Sequence, residues 1–339
     1  MAVGTHYDRP IGVDDILPPH GGRVWSSTNG RSWVDSTPLD TFADAILDYL
    51  FTEDGGSLIA FGNVTDPQRE NVEDVGPITG WESADGSSWR PFEAGLPVGH
   101  TLQHLEHGAS GYLAALWNNM EGSPQLWLSA DGRYWEQVYA GSNGEYVSDI
   151  DAGDEGFVVV GGRASGNAST AFVIASADGR EWVTASSPPE GVSHVVAVGP
   201  DWVATGQGNL AEVSKDSDTP VWFSSNGLDW SEVGRIPLRS VDLFGDGSFC
   251  NEWMSELLEA NGLLIASLTL SGPCSEGAFV AYSRTLISDD QASWQPLPFP
   301  ERSDTQPGSF IRAGISTGGG LVLAGQSNGQ AVFWLGDPN

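Results

Sequence analysis

Lysine is almost missing from this 339-residue chain: Lys215 stands alone, and arginine supplies the rest of 14 basic residues set against 45 acidic ones, for a net charge of −31. A surface so short of cations repels phosphate backbones and anionic lipid heads, so neither nucleic acid nor a membrane surface is expected as a partner. The arginine preference has two readings, codon bias in the source genome and a salt-rich habitat. Long apolar runs are lacking too. None approaches the roughly 18 residues that cross a bilayer as a helix, so a soluble chain is expected. The segment Met1–Asp8 has neither a charged n-region nor an apolar h-region, as in a chain whose leader has been removed. No Walker loop, His-Glu-x-x-His or Cys-x-x-Cys occurs, which removes the common nucleotide and metalloprotease templates. Helical periodicity is absent almost everywhere, and cysteine is limited to Cys250 and Cys274.

What the chain has is 44 glycines, 20 prolines and a repeat. Ser27-Thr-Asn-Gly-Arg-Ser-Trp33, Ser83-Ala-Asp-Gly-Ser-Ser-Trp89 and Ser129-Ala-Asp-Gly-Arg-Tyr-Trp135 follow one rule. So do Ser176-Ala-Asp-Gly-Arg-Glu-Trp182, Ser224-Ser-Asn-Gly-Leu-Asp-Trp230 and Ser288-Asp-Asp-Gln-Ala-Ser-Trp294, with Gln291 the one break at glycine. The tryptophans are 56, 46, 47, 48 and 64 residues apart. Asn-Gly and Asp-Gly favour positive φ and predict two-residue hairpin turns at Asn29, Asp85, Asp131, Asp178, Asn226 and Asp290. The serine and Asp/Asn side chains are expected to bond turn amides, and the tryptophan to anchor the outgoing strand.

Each turn follows a short apolar strand, such as Gln125-Leu-Trp-Leu, Ala171-Phe-Val-Ile or Val221-Trp-Phe. Two more strands lie between successive turns, at Leu102 to Leu116, Val192 to Gly206, Met254 to Leu268 and Ile311 to Gly325. Four short strands per repeat of roughly 45 residues predict an all-β propeller of four-stranded antiparallel blades. Six blades are expected, and alternatively seven. Residues 24–339 are read as one propeller domain closed by pairing of its N- and C-terminal strands, which would hide both sheet edges. Residues 1–23 carry no repeat pattern and are expected to be an N-terminal extension, either a partly disordered tail or an extra edge strand.

The six turns resemble the Asp-box, or BNR repeat, of sialidases and related secreted propellers, in a variant with one residue fewer between aspartate and glycine. The resemblance covers nearly the whole chain. It implies a fold in which the boxes lie on the outer blade rim, away from the ligand mouth, and it implies no reaction. The sialidase catalytic set is not recognisable. The family's Phe/Tyr-Arg-Ile-Pro stretch has no counterpart, since Tyr7-Asp-Arg-Pro-Ile11 has the letters in the wrong order. Arg31, Arg133 and Arg180 follow the box glycine, where rim geometry accounts for them. Arg163, Arg239, Arg284 and Arg312 have no spacing that makes them converge.

Cys250 and Cys274 flank the Asn261-Gly262 turn at nearly equal distances, so a regular hairpin would set them opposite each other. A disulfide, and with it a secreted or extracytoplasmic location, is the expectation; two unrelated buried thiols are the other reading. Aligned on the start of the second strand, His104, Asp149 and His194 fall at one position of successive first strands. Glu256 joins them with one residue of slack, and Ala313 fills the place in the last repeat. His, Asp, His and Glu suit a divalent cation such as zinc or manganese, which could activate water or hold a sugar or carboxylate. Equally, they are solvated lining. The Asp-rich stretches at 149–154, 216–218 and 242–246 could hold calcium but lack a recognisable loop spacing. The functional expectation is an exported, monomeric binding or scaffold protein that holds a glycan or protein ligand. The alternative is a glycan-active hydrolase or lyase, with Trp117-Asn-Asn-Met120 available to stack on sugars.

Overall fold

Short apolar runs cut every few residues by Gly, Asp and Asn favour hairpins over helices. The computed structural model is strand throughout, with no helix among the described residues. It describes all residues except 8–19, 39, 54, 65–75, 119, 166–167, 207–217, 242–249, 276–277, 298–308, 318–319, 328–329 and 337–339. For some strand residues, Cys250 and Cys274 among them, only the backbone is described. The chain divides into two units, Met1–Glu145 with Asp178–Glu181, and Tyr146–Ala177 with Trp182–Asn339.

In the first unit, Ala2–Tyr7 pairs with His20–Ser26, which pairs in turn with Val34–Asp35. Ala2–Tyr7 is the edge strand of this sheet. Two four-stranded sheets follow in chain order. One is Ala45–Thr52, Leu58–Val64, Ile78–Ser83 and Arg90–Glu93; the other is His100–Gly108, Gly111–Asn118, Ser123–Ser129 and Glu136–Ala140. Their shared core holds Phe61, Tyr112, Leu105 and Leu116, with Phe61 set edge-on to Phe92, Tyr112 and Trp135.

The second unit opens with Glu145–Gly153, Gly156–Ser165, Ala168–Ser176 and Val183–Thr184, then Val192–Val198, Asp201–Gly206, Thr219–Ser224 and Ser231–Ile236. Next come Cys250–Ala260, Leu263–Ser275, Ala278–Ser288 and Gln295–Pro296, with the two-residue strand Ser240–Val241 added beside the first of them. Ser309–Thr317, Gly320–Ser327 and Gln330–Gly336 form the last sheet. Second strands are buried on both faces: Phe157, Val158, Val159 and Val160 are each at most 1% exposed. That explains why they read as continuous apolar runs rather than as an alternation.

These sheets are the blades of an all-β propeller, the fold class expected from the repeat.

One irregularity recurs in every first strand whose ladder is resolved. The register slips by one residue at Leu47/Tyr49, Leu102/His104, Val192/His194, Met254/Glu256 and Ile311/Ala313. Each slip is a β-bulge, which bends the strand and re-aims the next side chain. In three sheets a glycine stands opposite the residue before the bulge: Gly62 faces Leu47, Gly206 faces Val192 and Gly325 faces Ile311. A Cβ on Gly62 would collide with the Ile46 carbonyl oxygen, and one on Gly161 with that of Tyr146. The bulged backbone therefore presses into a space only glycine leaves open.

Candidate functional site

The six repeat turns share one hydrogen-bond scheme. The Oδ1 of Asn29, Asp85, Asp131, Asp178, Asn226 and Asp290 accepts the amides two and three residues ahead, at 2.7–3.1 Å. Those bonds, donated by Ser88 and Ser87, hold the Asp85 carboxyl down to about 2; the Ser293 amide and hydroxyl do the same for Asp290. The turn departs from expectation in one respect. Positive φ is confined to the glycine, from 68° at Gly30 to 74° at Gly179, and does not extend to the Asp or Asn. Side-chain capping of two amides, rather than a two-residue mirror-image turn, sets the shape. Gln291 adopts the same conformation at φ 64° without being glycine. The tryptophan indole N–H returns to the glycine carbonyl in four turns, from Trp33, Trp89, Trp135 and Trp230.

Arg133 bonds Glu82 of the preceding sheet, and Arg180 bonds Glu136. Arg133 also lies over the Phe92 ring at 4.0 Å. Arg284 is engaged by Glu252, whose carboxylate also accepts the Arg239 amide; the two side chains are 13% and 1% exposed. Arg163 lies over Phe172. Arg312 has only its backbone described. Arg133, Arg180, Arg284 and Arg163 are thus each engaged by a carboxylate or a ring.

His104, His194 and Glu256 share one structural position: each is the residue immediately after the bulge of its first strand, paired with Ala115, Thr205 and Ser267 respectively. Asp149 lies seven residues before Gly156, the same interval as His104 before Gly111, His194 before Asp201 and Glu256 before Leu263. Glu256 thus aligns without the slack the sequence required. His104 belongs to the first unit and the other three to the second. Burial holds the His104 imidazole down to about 4, so it is neutral near pH 7. His194 directs Nδ1 to the Ser193 hydroxyl at 2.9 Å.

Asp149 is committed to the backbone. Its Oδ1 accepts the Ile150 amide at 2.9 Å, and its Oδ2 accepts the Val195 amide of the next first strand at 3.0 Å. Asp151, two residues on and on the same face, repeats this with Ala152 and Ala197. Burial raises both carboxyls, Asp149 well above the usual range and Asp151 to about 6. Tyr49 makes the equivalent stitch in the first unit, donating its hydroxyl to the Gln103 carbonyl at 2.8 Å. Side chains at and near this position thus tie one first strand to the exposed edge of the next. In sequence Asp151 is only one member of the acidic stretch 149–154, and nothing there marks Tyr49. An Asp-x-Asp pair within a strand was the available signal, since alternate residues share a face.

Among the described residues, no three His, Cys, Asp or Glu side chains are gathered to hold a metal ion. Asp-rich stretch 242–246 and most of 216–218 lie outside the described residues. So do the side chains of Cys250 and Cys274, whose backbone lies in paired strands Cys250–Ala260 and Leu263–Ser275. A cavity of about 380 Å³ in the first unit lies between two repeat turns, lined by Glu53, Glu82, Asp85, Arg90, Asp131 and Arg133. Most of its charge is spent internally: Glu82 on Arg133, Glu53 on the Tyr112 hydroxyl, and both aspartates on amides.

Elsewhere in the first unit, His100 pairs with Asn118 and Thr101 with Trp117 at the end of a sheet opposite its repeat turn. Val98 and Met120 leave this rung on either side and are 86% and 92% exposed, the most exposed large apolar side chains among the described residues. Trp117 is half-buried beside them. Below, His100 turns Nδ1 to the Val98 carbonyl, while its buried Nε2 has no partner.

No protein-family model matches this chain, and no curated protein matches it by sequence. Among solved structures, 99% of the chain is similar to 47% of a chain from a study of two prolyl endopeptidases, with 13% identity and a TM-score of 0.56. Trypanosoma rangeli sialidase is similar over 92% of this chain and 56% of its own, at 12% identity and a TM-score of 0.47. The β-propeller domain of the Trilobed protease from Pyrococcus furiosus is similar over 87% and 82%, at 9% identity and a TM-score of 0.49. At such identities the likeness is one of fold. The chain spans about half the length of the sialidase and endopeptidase chains, and its class is β-propeller protein.

Proposed function

We propose that the chain is an exported propeller that binds a glycan or a protein partner at the ends of its blades, where first strands begin and second strands turn into third. One observation carries the reading: Val98 and Met120, 86% and 92% exposed, lie two residues outside the His100–Asn118 rung at the sheet end that also carries the half-buried Trp117. Single exposed apolar residues are ordinary, but two so exposed beside a half-buried tryptophan at one sheet end offer the kind of platform on which a sugar ring or an apolar side chain is held. The net charge of −31 argues against polyanions and favours a neutral ligand. Export rests on the expected Cys250–Cys274 bridge, and the Asp-box likeness rests on the amide-capped turns. A panel of fluorogenic glycosides and neutral polysaccharides tests the reading. Retention of a polysaccharide without turnover supports it; turnover that disappears in His104→Ala overturns it.

The alternative is a glycan-active hydrolase or lyase assisted by zinc, manganese or calcium. It is favoured by the post-bulge position that His194 and Glu256 share in successive sheets of the second unit. Elemental analysis of the untagged protein distinguishes the two. One equivalent of metal, lost in His194→Ala, favours the enzyme.

A further inference from the structure

Three hydroxyls in one sheet of the second unit are buried without a hydrogen-bond partner. Ser267, Thr269 and Thr285 are 0%, 0% and 2% exposed, and each side-chain oxygen is unbonded. They are neighbours: Ser267 pairs with Thr285 across the ladder, and Thr269 lies two residues along the same strand, so all three share one face. Glu256 pairs with Ser267 from the other side and shares that face as well. Along the same face Ile265 joins a cluster with Leu323, and strand Ser309–Thr317 runs against the sheet there. The preceding sheet repeats the arrangement. Its post-bulge residue, His194, pairs with Thr205, whose hydroxyl is 0% exposed and unbonded, and Thr219 on the same face is in the same condition. In other sheets the residue at this position is Phe61, Ala115 or Ala324, none of which carries a polar side chain.

A buried hydroxyl without a partner loses its hydration and gains nothing in return, so one orphan is uncommon and three on adjacent positions of one face are not a stable dry arrangement. Threonine and serine differ from valine and alanine in little but that hydroxyl, so a dry site would be better served by the apolar residues. We propose that Ser267, Thr269 and Thr285, with Glu256 at their edge, line an internal site that holds ordered water, and that Thr205 and Thr219 beside His194 line a second. Each water would bridge two or more of the hydroxyls, and the first site would keep the Glu256 carboxylate solvated inside the sheet packing.

A high-resolution crystal structure of the intact chain, together with thermal melts of Ser267→Ala, Thr269→Val and Thr285→Val, tests this. The expected result is solvent density within hydrogen-bond distance of at least two of the three hydroxyl oxygens, and a melting temperature lowered by about 2–4 °C in each variant. Thr285→Ser, which keeps the hydroxyl, is expected to retain the bridging water. A dry site, or apolar variants that melt as high as the parent or higher, would overturn the proposal.

Discussion

At the scale of single residues, most of the structural logic rests on carboxylates and amides that cap backbone. The Asx residues of the six turns were legible from the repeat alone, because Ser-x-Asx-Gly-x-x-Trp names both the capping side chain and the glycine at positive φ. The roles of Asp149 and Asp151 were not, since a polar residue on a first strand reads equally well as a ligand or as a strand-to-strand stitch. Which applies depends on where the Val195 and Ala197 amides lie, some 46 residues away in sequence. The stitch has a signature in pH. A carboxyl whose folded pKa lies above its unfolded value binds its proton more tightly when folded. Its contribution is therefore fully present below the ordinary value of 3.8 and is lost as pH climbs through about 6 for Asp151. Asparagine at this position still accepts the Ala197 amide but never ionises. Asp151→Asn is thus expected to be more stable than the parent at pH 8, by about 1–2 kcal/mol, and indistinguishable from it near pH 4. Denaturant melts at the two pH values check this; a variant weaker at pH 8 would show that the carboxylate charge itself is stabilising.

At the scale of strands, the four-strand repeat was readable from alternation and turn residues, while the bulges were not foreseen. Their signal was present in the glycines of second strands, as in Phe61-Gly-Asn63, where a strand interior has no other use for a residue without a side chain. Gly62→Ala is expected to cost about 3 kcal/mol, because the new Cβ meets the Ile46 carbonyl and the bulge cannot retreat without losing its ladder. Urea denaturation measures it, and a loss below 1 kcal/mol would mean that the bulge is soft. The bulge also bears on the cysteines. Counting symmetrically from Asn261-Gly262 ignores the slip at Met254/Glu256, which moves every later rung of strand Cys250–Ala260 by one residue. Alkylation with and without reductant is expected to show no free thiol in the native protein. Two reactive thiols would remove the bridge and the main argument for export.

At the scale of the whole chain, the repeat established a propeller before any contact was known, because six tryptophan turns at near-regular spacing leave few other architectures. Function was far less legible. A propeller supplies the same hairpin ends to any ligand, and what distinguishes them is side-chain exposure, which no spacing reveals. Trp117 and Met120 stood out in sequence only as an aromatic and an apolar residue in a loop; Val98 did not stand out at all. Their convergence depends on the His100–Asn118 rung. The most direct test is a glycan array probed with the intact labelled protein beside Trp117→Ala. The account predicts that the parent retains neutral glycans and that Trp117→Ala loses them while melting at an unchanged temperature. No retained glycan, or equal retention by both proteins, would contradict a carbohydrate platform at this loop end and move the search to a protein partner.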